Sequence, residues 1–268
     1  MNCQFGFIGC GNMGGALALA LSKTVSAQNI LLCDANAEKA ADLAQKIGAN
    51  VCDLASTVQA SDFLFLGVKP QGFEGLFEAL RPMLKQKSTR TVLVTMAAGI
   101  SISAVEQFAE MELPIIRIMP NTPVSVGEGM ILYTANQATT VEEAKRFCAA
   151  MCMAGRLDCI EESKIDAASA LSGCGPAFVY LFAEAMADGA VECGLARDKA
   201  NLYAAQTLFG AAKLLMESGK HPGELKDAVC SPGGTTIAGV HALEEGAFRA
   251  SSMNAVKAAY EKTLKLKK

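Results

Sequence analysis

Short apolar bursts, separated by amphipathic stretches, run along the first 160 residues. "QFGFIG" (4–9), "NILLC" (29–33), "DFLFLGV" (62–68), "RTVLVTM" (90–96) and "PIIRIM" (114–119) each have the length and apolarity of a buried strand. Between them, "NMGGALALALSK", "DANAEKAADLAQKIG", "QGFEGLFEALRPML" and "ISAVEQFA" read as helices. Asn36 or Asp34 is the expected cap of the second of these, and Gly48 its stop. "GMILYTA" (129–135) is expected to add an edge strand, followed by the helix "TVEEAKRFCAAM" and the short segment "RLDCI". Strands apolar on both faces and alternating with helices predict an α/β domain of Rossmann type over residues 1–160, a parallel sheet with helices on each side.

The pattern changes near Glu161. From "SKIDAASALSG" to "ARDKANLYAAQTLFGAAKLLMESG" strand-like alternation is missing and apolar residues fall at helical spacing. Residues 161–268 are expected to form an all-helical domain, with Pro176 in the first turn of a new helix. The run "PAFVYLFAEAMADGAVECG" is apolar on more than one face. Burial against a partner subunit is the expected reason, with burial inside its own domain as the alternative.

Composition narrows the class. The 268 residues carry a formal net charge of -3, so no basic footprint for nucleic acid is present. The locally basic tail "KTLKLKK" reads as a helix end whose cations complement the dipole. Ten cysteines include no C-x-x-C pair, and only His221 and His241 are available to complete a metal site. A reduced, cytoplasmic protein without a structural metal is expected. The apolar opening "FGFIGCGNMGGALALALS" lacks the preceding cations of a signal peptide. No other run is expected to reach the length of a membrane span free of charges or breakers, so no membrane partner is expected.

The glycines of that opening carry chemistry. Gly9, Gly11 and Gly14 form G-x-G-x-x-G between a strand and a helix, the arrangement in which a pyrophosphate meets a helix N-terminus. Asp34, about 20 residues on at the end of the next strand, stands where an acidic side chain meets the adenosine ribose. Gly67 to Gln71, Met96 to Ser101 and Arg117 to Pro123 follow later strands. Ligands gather outside the carboxyl ends of strands. There, Ala97, Ala98 and Gly99 permit close approach of a flat ring, and Asn121 offers an amide. A further loop, "CSPGGTTIAGVHALEEG", opens a helix with threonine caps; it is either an anion site or a capped interhelical turn. Isolated histidines provide no evident general acid, which tilts a hydride-transfer reading toward C=N substrates, whose nitrogen arrives protonated.

"FIGCGNMG", "VKPQ", "AAGIS", "RIMPNTP", "SGCGPAF" and "HPGELKDAVCSPGGTTIAGVHALEEGAFR" together resemble the pyrroline-5-carboxylate reductase family, in order and spacing, over nearly the whole chain. The resemblance implies reduction of 1-pyrroline-5-carboxylate to L-proline, the last step of proline biosynthesis, with NADPH or NADH. It implies that Ile8, Gly9, Cys10, Gly11, Asn12, Met13 and Gly14 hold the pyrophosphate, with Asp34 and Asn36 at the adenosine end. Gly67, Val68, Lys69 and Pro70, with Ala97, Ala98, Gly99 and Asn121, would line the nicotinamide. Ser231, Gly233, Gly234 and Thr235 would bind the substrate carboxylate, and Thr236 the ring nitrogen as the catalytic contact. It further implies a homodimer through the C-terminal helices, and assembly of dimers beyond that. In "CDANAEK", Asp34 would repel a 2′-phosphate while Asn36 and Lys39 would compensate, so the cofactor preference stays open. A related dehydrogenase of different substrate and a dinucleotide-sensing binding protein are the competing readings.

Overall fold

The computed structural model describes residues 3–266. Four-residue apolar runs become strands because both of their faces are covered. β1 (Phe5–Ile8), β4 (Phe63–Leu66) and β5 (Val92–Thr95) are buried at every position, and β2 (Ile30–Cys33) at three of four. With β3 (Asn50–Val51), β6 (Ile115–Pro120), β7 (Gly129–Ala135) and β8 (Gly155–Cys159) they form one sheet in the order β3-β2-β1-β4-β5-β6-β7-β8. Neighbours are parallel except β6 and β7. The five strands expected from apolar runs are parallel as expected, and the antiparallel pairing of β7 with β6 makes the whole sheet mixed. β7 differs from expectation: it lies inside the sheet, and β8 is the edge. Burial explains the exchange, since β7 keeps an apolar face while β8, "GRLDC", is largely exposed.

Residue parity sorts the core onto the two sheet faces. Phe5, Phe7, Phe63, Phe65, Val92 and Val94 lie on one, under α1 (Asn12–Leu21), α2 (Ala37–Ile47) and α6 (Val141–Met151). Ile8, Leu64, Leu66 and Leu93 lie on the other, with α4 (Phe73–Gln86) and α5 (Ile102–Ala109). Phe5 stacks on Phe63 at 5.3 Å and Phe7 on Phe65 at 4.4 Å between ring centroids. Each such ring contributes about 1.5–3 kcal/mol on burial, which holds β1 and β4 in register. The expected cap and stop of α2 are present: the Asn36 side chain accepts from the Glu38 amide, and Gly48 is left-handed at φ 73°. Sequence patterning missed β3 and α3 (Leu54–Ala60), the former two exposed residues and the latter a seven-residue helix capped by Asp53.

The chain divides into two units, 1–173 with 260–268, and 174–259. The first extends past the expected boundary at 160 because α7 (Ile165–Ser172) packs on β6 and β7. The second is helical: α8 (Gly175–Glu192, with Pro176 in its first turn), α9 (Arg197–Ser218), α10 (Pro222–Ala228), α11 (Thr235–Glu245) and most of α12 (Phe248–Leu266). Its buried apolar cluster is only Ala187, Ala200 and Ala204, flanked by partly covered neighbours such as Met186 and Leu195. Tyr180 and Leu181 are 63% and 67% exposed, so this face of α8 is not buried inside its own unit. The stretch Glu162–Glu192 is long and apolar enough to cross a membrane by length and composition; it carries Lys164, Asp166, Glu184 and Asp188, so it is not a run free of charges or breakers. Gly173 and Cys174 interrupt it between α7 and α8, and Pro176 follows in the first turn of α8. Of the basic tail, Lys265 sits in the last turn of α12, and Lys267 and Lys268 lie outside the described residues.

Candidate active site

Strand order reverses at β1, which has β2 on one side and β4 on the other. Helices leaving these strands diverge to opposite faces, and the crevice between them is where open α/β sheets bind ligands. The glycine loop stands at this point. The Gly9 amide donates to Cys33 O at 2.8 Å and the Gly67 amide to Ile8 O at 2.7 Å, joining the tips of three strands.

Each glycine of the motif has a separate steric duty. Gly9 has φ 101°, and a Cβ there would lie 2.7 Å from Gly67 O. A Cβ on Gly14 would lie 2.1 Å from Gly9 O, so only glycine lets α1 start this close to the strand. Gly11 is different: a Cβ there would meet no protein atom within 4 Å. Protein packing therefore does not require Gly11, whereas an anion approaching the backbone would. Gly11 is also the N-cap of α1 and supplies no side-chain acceptor to the first-turn amides around Asn12 and Met13. The loop fits a dinucleotide pyrophosphate.

Asp34, expected at the ribose, is found bound to the protein. Its Oδ2 accepts from the Cys10 amide at 2.6 Å and its Oδ1 from the Asn36 amide at 2.9 Å. This latch on the glycine loop was not foreseen; an Asp two residues before an Asn cap was its only trace in the sequence. Burial first, then the Asp34 charge and Cys33, push the Cys10 thiol up to about 12, so it stays neutral.

Strand register aligns the other segments. Ile8 pairs with Leu66, Leu66 with Thr95, and Thr95 with Arg117, so the residues following β1, β4 and β5 emerge side by side. Lys69 is exposed and caps a short helical turn at Pro70–Gly72, while Gly67 and Val68 are partly covered. Ala97 is buried and Ala98 exposed. Ala97 O accepts from the Ile100 amide with Gly99 at φ 77°, a turn that needs glycine at this place. The Asn121 amide group is committed within the unit: Nδ2 donates to Ser172 O at 2.9 Å and Oδ1 accepts from the Met130 amide at 2.9 Å. It braces β7 and the end of α7.

Behind these loops lies an ion-pair network that the motifs did not reveal. Arg117, on β6 and 3% exposed, contacts Glu162 at 3.0 Å and Asp166 at 3.4 Å. Glu162 Oε1 also accepts from the Ile102 amide at the start of α5. A lone arginine in "PIIRIM" was the available signal, because a buried charge demands partners.

In the second unit, Ser231 O accepts from the Gly234 amide at 3.0 Å, and Gly233 is left-handed at φ 66°. Gly234 is the N-cap of α11, and no side chain caps the helix. The expected threonine caps are thus corrected: Thr235 and Thr236 are the first two helical residues, and neither caps the helix. Ser231, Gly233, Thr235 and Thr236 are exposed. His221 caps α10 through Nδ1, accepting from the Gly223 amide, and His241 lies 3.4 Å from Glu245.

A glycine-loop sheet with a reversal at β1, joined to a helical unit with exposed apolar faces, defines a dinucleotide-binding protein of Rossmann type. Comparison narrows the class. The family model for "NADP oxidoreductase coenzyme F420-dependent" matches residues 4–99, and that for "Pyrroline-5-carboxylate reductase dimerisation" matches residues 162–266. The chain is 40% identical to a pyrroline-5-carboxylate reductase of Pisum sativum, covering 97% of this chain and 95% of the relative. It is 39% identical to that of Escherichia coli K12 over the full length of both. The Plasmodium falciparum pyrroline carboxylate reductase with NADP bound superposes with a TM-score of 0.86 at 31% identity, covering 100% of this chain and 99% of that one. The chain belongs to the pyrroline-5-carboxylate reductase family. It is an NAD(P)-dependent oxidoreductase, and residues 162–266 carry the family's dimerisation region, which accounts for the bare apolar faces.

Proposed function

We infer that this enzyme reduces the C=N bond of 1-pyrroline-5-carboxylate with NADPH or NADH, giving L-proline. Full-length kinship with pyrroline-5-carboxylate reductases is the observation that carries this reading. The bound dinucleotide supplies the hydride. The glycine loop would hold its pyrophosphate through the amides at the start of α1, with Asp34 and Asn36 toward the adenosine. Val68, Lys69 and Pro70, with Ala97, Ala98 and Gly99, would border the nicotinamide.

Ser231, Gly233, Gly234 and Thr235 would grip the substrate carboxylate, supported by the uncapped start of α11 and its dipole. Thr236 would hydrogen-bond the ring nitrogen. As the hydride adds to the adjacent carbon, the C=N π pair settles on that nitrogen, which entered as an iminium and leaves as an amine. The chain's task is then orientation more than proton transfer, in keeping with two histidines engaged elsewhere. We also propose functional domains at 1–160 and 161–268, the second following the family's dimerisation region although its first helix, α7, packs on the sheet, with a homodimer through the helical domain that assembles further, and residence in the cytoplasm, where ten unpaired thiols suit the redox state. Oxidation of NADH or NADPH, followed by absorbance with 1-pyrroline-5-carboxylate as substrate, tests the reaction. Proline formed in step with cofactor oxidation is expected; failure with both cofactors would overturn the reading.

A further inference from the structure

We propose that Asp34 makes this enzyme select NADH over NADPH while also latching the glycine loop. The inference rests on the reading of the first unit as a dinucleotide site. Recognition of a 2′-phosphate beyond the second strand takes amide donors and cations. The donors here are spent internally. The Asn36 amide donates to Asp34 Oδ1 at 2.9 Å, the Glu38 amide to Asn36 Oδ1 at 3.0 Å, and the Lys39 amide to Asn36 O at 3.1 Å. Asp34 itself is held at both oxygens, so it cannot swing aside to admit a phosphate without releasing Cys10 or the turn.

The local charge points the same way. Glu38 occupies the first turn of α2, and Asp53 is fixed at the start of α3 by the Ser56 amide. Burial raises the Cys33 thiol, and the charges of both Asp34 and Asp53 raise it further. Against them stands Lys39; the first arginine of the chain is Arg81. A phosphate of nearly two negative charges would enter this acidic turn unmatched. A ribose 2′-hydroxyl would instead donate to a carboxylate that keeps free lone pairs beyond its two amide contacts.

The test is direct binding of NADH and NADPH to the full-length protein, by calorimetry or cofactor fluorescence, for wild type, Asp34→Ser and Asp34→Asn. Wild type should bind NADH about tenfold tighter or more, and Asp34→Ser should move the ratio of dissociation constants about five- to thirtyfold toward NADPH. Asp34→Asn keeps an acceptor for the Cys10 amide without the charge, and should move the ratio in the same direction. Wild type binding NADPH as tightly as NADH would overturn the proposal. So would variants that weaken both cofactors equally, since Asp34 would then be a latch alone. A protein that binds neither dinucleotide fails as a reductase altogether, whereas one that reduces the substrate but favours NADPH fails only here.

Discussion

Single atoms separate the duties of the motif glycines, and substitution should separate them in solution. Gly14→Ala puts a methyl 2.1 Å from a backbone carbonyl, and no side chain can move to relieve it. A loss of about 1–3 kcal/mol is expected, read as a lower midpoint in thermal unfolding. Gly11→Ala meets no protein atom. Its stability should stay within about 0.5 kcal/mol of wild type, while NADH affinity falls at least about tenfold. Equal affinity in Gly11→Ala would mean that no anion approaches this backbone. In the second unit, Thr236→Val keeps the shape and deletes one hydrogen bond to a charged substrate. The expected loss is about 1.5–3 kcal/mol, or roughly ten- to 150-fold in kcat/KM, with cofactor affinity unchanged. Wild-type kinetics in this variant would remove Thr236 from the site.

Between elements, the buried ion pairs decide how the sheet meets the chain that leaves it. Arg117 ties β6 to α7 through Asp166, and Glu162 ties the same arginine to the start of α5. The Arg117 and Asp166 side chains are each only 4% exposed, so removing one partner leaves the other charge in a poor solvent. Arg117→Leu should cost about 3–5 kcal/mol, and Arg117→Leu with Asp166→Leu should recover much of it. Denaturant titration of both variants checks this, and a single variant as stable as wild type would show the pairing to be idle. The pattern of apolar residues found most of these elements, because a strand covered on both faces must be apolar throughout. It could not find β3, whose two residues are paired yet exposed, nor put β7 inside the sheet.

At the scale of the molecule, the two units stand on different foundations. Phenylalanine and aliphatic side chains fill both faces of the sheet, whereas the helical unit buries little beyond three alanines. Val179, Tyr180 and Leu181 lie bare on α8, within a region matched by the family's dimerisation model. Sedimentation at low micromolar concentration should therefore show no folded monomer. Tyr180→Asp with Leu181→Asp should release monomers or unfolded chains without reductase activity, since charges at an apolar interface core oppose its burial. A stable, fully active monomer would sink this account.

Local steric and periodic rules made much of the protein legible in the sequence alone. The glycine loop is one case, because its backbone conformation and close contacts admit no side chain at Gly9 or Gly14. The α2 cap at Asn36 and the change to all-helical spacing after Glu161 are others, each set by residues near in the chain. Tertiary structure decided what depends on distant partners. It turned Asp34 toward the Cys10 amide, committed Asn121 to Ser172 and Met130, and joined Arg117 to residues 45 and 49 positions away. A polar side chain has several acceptors and donors to choose from, and only the folded chain brings one within bonding distance while excluding water from the rest.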